Sequence, residues 1–247
     1  MTDYQNTYWG VPSSLVNWCE PDYMHFNFIA ETWNTLSNIF TILMGLMLFI
    51  NFTWHKIELR FRITALSLMV VGMGSFAFHG TLLYHYQLLD ELPMLGLGAS
   101  MTYLILEMPS IQLRYPRMPT LFTAFCICFC VLHVILKNND LFFAVFAIML
   151  APAVFFSALN YQDKVIRTAT TLAGVYLAIG FGFWLIDRFY CSSVQKLNLH
   201  AWWHILTALS EVYWLNAMVY MRRKIIGQKS VLYLKGLWIS FPITKLK

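Results

Sequence analysis

Two imidazoles four positions apart open the last long apolar stretch of the chain, in the segment HAWWH (200–204). Residues at i and i+4 share one face of a helix, so His200 and His204 can point at a single ion. A third histidine, His79, ends the second apolar stretch, and Asp90 begins the third. Ser75 stands one helical turn before His79. A histidine pair on one helix plus a third ligand from another matches a catalytic zinc site, whose fourth position is left open to water. The pair lacks the glutamate of an HExxH metalloprotease, because position 201 is Ala, so the proton-handling group must come from elsewhere. Asp90 is the candidate. A lone histidine in a membrane is more often a hydrogen-bonded packing residue. What favours the metal is that Ser75, His79, Asp90, His200 and His204 share one depth. His25, His55, His85 and His133 show no such company in the sequence and receive no role.

Helices embedded in a bilayer must hold these groups. Of 247 residues, 59% are hydrophobic and 12% charged, and the mean hydropathy is +0.58. Soluble domains carry about a quarter charged residues. A spanning helix needs about 20 mostly apolar residues. The pattern predicts an all-α integral membrane protein, a seven-transmembrane helix bundle with spans at 33–54, 62–83, 88–108, 119–136, 141–160, 167–187 and 200–221. The apolar segment 231–243 is too short to cross and is expected at the interface. The division that follows is a luminal segment 1–32, a transmembrane catalytic domain 33–221 and a cytosolic tail 222–247.

Loop charges orient the bundle, because short cytosolic loops are rich in Lys and Arg. One side holds Lys56, Arg60, Arg62, Arg114, Arg117, Lys164, Arg167, Arg222, Arg223, Lys224, Lys229, Lys235, Lys245 and Lys247. The other side holds only Lys137, Arg188 and Lys196. The N-terminus is therefore expected in the lumen and the C-terminus in the cytosol. The net charge of +5 reflects these loops and does not point to a nucleic acid. The first 24 residues lack a basic start followed by an apolar core, so the first span is expected to serve as the insertion signal. Asn51-Phe-Thr53 matches a glycosylation sequon but falls on the cytosolic side.

In this topology His79, Asp90, His200 and His204 all lie near luminal helix ends, where three segments deliver three imidazoles and a carboxylate to one layer. Ionisable groups inside spans are costly and face the protein interior or a water-filled cavity. Cys126, Cys128 and Cys130 read as small core hydrophobes. Cys19 and Cys191 share the oxidising side, where they can form a disulfide or stand as two thiols. Asp187 reads first as an interfacial carboxylate at the end of span six, with a bracing role as the alternative. Glu211 sits seven residues beyond His204 on the same face, either paired with another span or lining a cavity.

Several stretches together resemble the alkaline ceramidases, seven-span zinc amidases of the CREST superfamily. They are YWG (8–10), NWCEPDY (17–23), IAETWNTLSN (29–38), VGMGSFAFHGTL (71–82), QLLDELPM (87–94), FWLIDRFYC (183–191) and HAWWHILT (200–207). The likeness runs in order from about residue 8 to residue 240. It implies zinc on His79, His200 and His204, Asp90 as catalytic acid and base, Ser75 as the active-site serine, and a Cys19–Cys191 disulfide. It also implies calcium on Asn17, Trp18 (through its backbone carbonyl), Glu20, Asp22 and Glu31. Asn17 stands where the family usually has aspartate and Asp22 where it has asparagine, which keeps three carboxylates in the set.

The activity implied is zinc-dependent hydrolysis of ceramide, a membrane lipid, to a sphingoid base and a fatty acid, modulated by calcium. It would take place in the endoplasmic reticulum or Golgi membrane, and no obligate protein partner is inferred. Two other readings share the metal layer. One is a CREST-type lipid-ester hydrolase of GPI-anchor remodelling. The other is a seven-span receptor like those for adiponectin and progestin, which place the N-terminus in the cytosol, against the charge asymmetry found here.

Overall fold

A computed structural model describes residues 7–107, 117–159, 163–228, 233–235 and 238–240. Of the loop and tail cations, Arg114, Lys229, Lys245 and Lys247 lie outside the described residues, as do parts of segment 231–243. Seven long helices follow one another: α1 (Thr32–Trp54), α2 (Leu59–Thr81), α3 (Tyr84–Leu106), α4 (Met118–Leu136), α5 (Asn139–Leu159), α6 (Lys164–Phe189) and α7 (Leu199–Ile225). A short helical turn, Cys191–Val194, and a 3-10 turn, Gln195–Leu197, link α6 to α7. Tyr233–Lys235 and Trp238–Ser240 form a small antiparallel hairpin in the tail segment that hydropathy had marked as interfacial. Among the described residues the long helices follow the order of the expected spans. By length and composition, α1, α2 and α6 can cross a membrane.

In lipid, apolar side chains gain little by meeting each other, so helix pairs rely on close van der Waals fit and interhelical hydrogen bonds. α1 and α2 fit through glycine. A Cβ added at Gly45 would sit 2.4 Å from the Met69 backbone nitrogen, and one at Gly72 would sit 2.9 Å from that of Ile42. The cores on either side of α3 differ. Leu48, Phe52, Phe61, Leu68, Tyr213, Leu215 and Met218 fill the space among α1, α2 and α7. Leu95, Phe129, Phe142 and Met149 join α3 to α4 and α5. The outer faces remain apolar: Leu43, Ile50, Ile63, Leu121, Ile127, Ile135, Ile148 and Ile179 are all exposed.

Charged pairs cluster at the end of the bundle opposite the histidines. Arg60 bridges Glu58 and Glu107, Arg222 donates to Glu58 at 2.8 Å, and Lys224 meets Asp163 at 2.7 Å. This is the end that carries most of the loop cations. At the other end, residues 7–31 lie over the helix termini, held by backbone hydrogen bonds. Ser13 and Ser14 both donate to the Leu82 carbonyl at 3.0 Å, in the two-residue link between α2 and α3. Ala30 donates to the Gly80 carbonyl at 3.0 Å, and Glu31 to that of His79 at 2.9 Å.

Replacing Gly45 by Leu is expected to separate α1 from α2 and reduce the thermal transition in detergent by more than about 5 °C. A transition within about 1 °C of wild type would contradict the close fit.

Candidate metal centre

His79 enters from the last turn of α2, while His200 and His204 occupy the first turns of α7. All three are buried, and one ring nitrogen from each lies within 4.8 Å of the others. Ring centroids are 5.1 Å apart for His79–His200, 4.9 Å for His79–His204 and 4.6 Å for His200–His204. Among the described residues no other group of His, Cys, Asp or Glu gathers three such atoms.

Hydrogen bonds around the rings set which nitrogen is bare. His79 Nδ1 lies 2.5 Å from Glu31 Oε2, and its Nε2 is buried without a partner among the described residues. His204 Nδ1 lies 2.8 Å from Ser37 Oγ, and Ser37 spends its own proton on the Asn34 carbonyl at 2.9 Å. The serine oxygen is thus free to accept Nδ1–H, a tautomer that leaves Nε2 bare. His200 keeps Nδ1 buried and unpartnered among the described residues, with its ring stacked on Trp18 at 3.7 Å and 19°. Bare imidazole nitrogens converging in a buried pocket, with outer nitrogens held by carboxylate and hydroxyl, are the donor set of a transition-metal site.

Asp90 is 8% exposed and receives a hydrogen bond from Ser75, so the depth inferred from sequence brings these two together. Their meeting depends on a close approach of α3 to α2. Pro93 lacks an N–H, so the Leu89 carbonyl has no donor four residues on. That carbonyl turns onto Gly74 instead, where an added Cβ would come within 1.8 Å of it. Only glycine admits this contact, and it sets Asp90 beside Ser75 in the next position along each helix.

Asp187 is not the interfacial carboxylate that the sequence favoured. It is 2% exposed and accepts N–H bonds from Cys19, at 3.1 Å, and from the His200 backbone. It therefore braces the start of α7 against the N-terminal segment, as the alternative reading had it. Cys19 and Cys191 are paired, with Cα atoms 5.2 Å apart, so the two-thiol option falls. His133, given no role from the sequence, meets Glu91 at 2.7 Å. Glu211 Oε2 is buried without a hydrogen-bond partner among the described residues.

The five residues matched to calcium lie in one loop around the start of α1. Asn17 Nδ2 donates to Asp22 at 3.1 Å, and the Trp18 N–H donates to Glu31 Oε1 at 3.1 Å. Glu20 turns its carboxylate onto the Trp33 and Asn34 N–H groups, at 2.7 and 2.8 Å, capping α1 from outside the helix. Burial raises both carboxyls, Glu31 up to about 8, an environment that a nearby cation relieves. Sequence reasoning missed Asn34, Ser37 and Asn38. Their i, i+3, i+4 spacing on an apolar helix was the available signal.

The purified protein is expected to carry one transition-metal ion per chain by elemental analysis. His200→Ala and His204→Ala should each lower this by at least about tenfold. Undiminished metal in both variants would sink the site.

A family model described as Ceramidase matches residues 10–245. Alkaline ceramidase 3 of Mus musculus is 32% identical over 252 residues, covering 94% of this chain and 92% of that protein. Alkaline ceramidase YPC1 of Saccharomyces cerevisiae is 30% identical, covering 87% of this chain and 78% of its own. Alkaline ceramidase of Arabidopsis thaliana is 27% identical, covering 85% and 84%.

Proposed function

Because the chain belongs to the ceramidase family of enzymes, we propose that it hydrolyses the amide bond of ceramide within a membrane, releasing a sphingoid base and a fatty acid. The observation that carries this reading is the buried histidine triad, with Ser75 one helical turn from His79 and hydrogen-bonded to Asp90. The apolar outer faces support all seven helices as spans, with residues 1–32 luminal, 33–221 forming the catalytic bundle and 222–247 cytosolic. The Cys19–Cys191 pair supports an oxidising lumen, that of the endoplasmic reticulum or Golgi.

His79, His200 and His204 would hold zinc, which when bound activates water and polarises a carbonyl. Asp90 takes the proton from the attacking water and returns it to the leaving nitrogen as the C–N bond breaks. Ser75 donates to Asp90 at rest. Once Asp90 is protonated, the serine proton is released to turn toward the developing oxyanion. Glu31 and Ser37 hold the outer nitrogens of His79 and His204 so that the inner ones stay aimed. A substrate with two hydrocarbon chains can reach such a site sideways from the lipid.

Calcium on Asn17, the Trp18 carbonyl, Glu20, Asp22 and Glu31 would offset the charge of three carboxylates and stiffen the start of α1. Glu31 touches His79, so this loop and the metal centre share a residue.

Wild type is expected to release sphingoid base from ceramide, and Asp90→Asn to lose at least about a thousandfold in kcat while keeping its metal. Gly74→Ala should push α3 off α2 and lose about a hundredfold, also with metal retained. An intact ceramide pool with metal-loaded wild type would instead favour ester-linked lipid substrates or a receptor. Asp22→Ala tests calcium without disturbing His79. The calcium needed for half-activation should rise about tenfold or more, and an unchanged response would remove calcium from this loop.

A further inference from the structure

Glu91 follows Asp90 on α3, and the two carboxylates point to different neighbours because successive helical residues diverge by about 100°. Asp90 faces Ser75 on α2. Glu91 faces α4, where His133 Nε2 lies 2.7 Å from its Oε2, with the two side chains 7% and 2% exposed. Its other oxygen takes a hydrogen bond from Gln87 Nε2 at 2.8 Å. Gln87 is fully buried, and its Oε1 accepts the Leu15 N–H at 2.7 Å, which fixes the orientation of the amide. A continuous chain therefore runs from the N-terminal segment through Gln87 and Glu91 to His133. Phe129 stacks on the His133 ring at 6.4 Å and Phe142 tilts against it at 4.9 Å, leaving the ring no room to swing.

A buried carboxylate–imidazole pair is costly to desolvate and weak as a source of stability, yet it can specify one arrangement among several. Here that arrangement is the rotation of α3 about its own axis. The Leu89–Gly74 contact gives α3 a pivot, but a pivot does not stop rotation. A carboxylate about 6 Å from the helix axis moves about 1 Å for a 10° turn, and an error of that size can cost about a hundredfold in rate. We propose that Glu91 and His133 are positioning residues whose pairing, backed by Gln87, clamps α3 so that Asp90 stays aimed at the reacting centre. This rests on the amidase reading of the same site.

The test compares His133→Phe, His133→Gln and the apolar double variant Glu91→Met with His133→Phe, which leaves no unpaired charge behind. Each is assayed for ceramide turnover, metal content, thermal transition and hydrogen exchange over residues 84–92. In the double variant kcat should fall about 10- to 100-fold while KM stays within about twofold and metal content is unchanged, and the thermal transition should fall by no more than about 5 °C as Gln87 Nε2 loses its acceptor. His133→Gln, which can still donate to Glu91, should recover to within about threefold of wild type. Exchange over residues 84–92, which needs no substrate, should rise at least about fivefold in the double variant. Wild-type kcat in the double variant, or a loss matched by lost metal, would overturn the clamp. If wild type does not cleave ceramide, the amidase reading fails, and unchanged exchange over residues 84–92 would overturn the clamp on its own.

Discussion

Glu31 carries its carboxylate into a fully buried position, where Oε2 meets His79 Nδ1, while its backbone N–H reaches the His79 carbonyl. This double attachment is the constraint around which the site is arranged. A buried polar group must find a partner, so His79 cannot turn without stranding Glu31, and Glu31 cannot move without releasing the start of α1. The same carboxylate accepts from the Trp18 N–H and the Asn34 amide. Trp18 in turn stacks on His200, and Asn34 takes the proton of Ser37, which holds His204. Each histidine of the triad is thus tied to Glu31 through the N-terminal segment or the first turns of α1, His79 directly, His200 in two contacts and His204 in three.

Around that knot the bundle has two unequal parts. α1, α2, α6 and α7, with the link between the last two, supply Ser37, the histidines, Ser75, the bracing Asp187 and the disulfide partner. α4 and α5 supply none of these, and reach the site through α3, by the Glu91–His133 pair and by Thr102 donating to the Met149 carbonyl at 2.5 Å, with a second path from Phe143 of α5, whose ring lies edge-on to Trp18 at 6.5 Å. α3 is therefore the element with two masters. Its Asp90 belongs to the site, and its Glu91 belongs to the outer pair of helices.

The helices and the gathering of the three histidines were legible in the sequence because each rests on local signals. Apolar runs mark spans, loop cations mark a side, and i, i+4 spacing places His200 with His204 and Ser75 with His79. What escaped was the pairing between helices. His133 and Asp187 look ordinary along the chain, since the residues that engage them, Glu91 and Cys19, lie 42 and 168 positions away. Whether a polar residue faces lipid, a neighbour or a cavity depends on the rotation of its helix. Hydropathy does not report that angle. Gly74 and Pro93 illustrate the point, since each is a familiar helix interruption alone and their joint effect on the Leu89 carbonyl appears only when α2 and α3 are side by side.

Two of the three metal-facing histidines lie on the last long helix and one on the second, more than a hundred residues earlier in synthesis. During translation the chain therefore passes through most of its length with one member of the triad in place and no pocket to hold an ion. The centre forms only when α7 docks between α1 and α6, the helices it packs against most. A chain that stalls before α7 lacks two members of the triad, and so does a piece without that helix. Any ion the triad holds is therefore bound as the closing event of biogenesis, and the hydrolysis proposed for it stays silent until the polypeptide is whole.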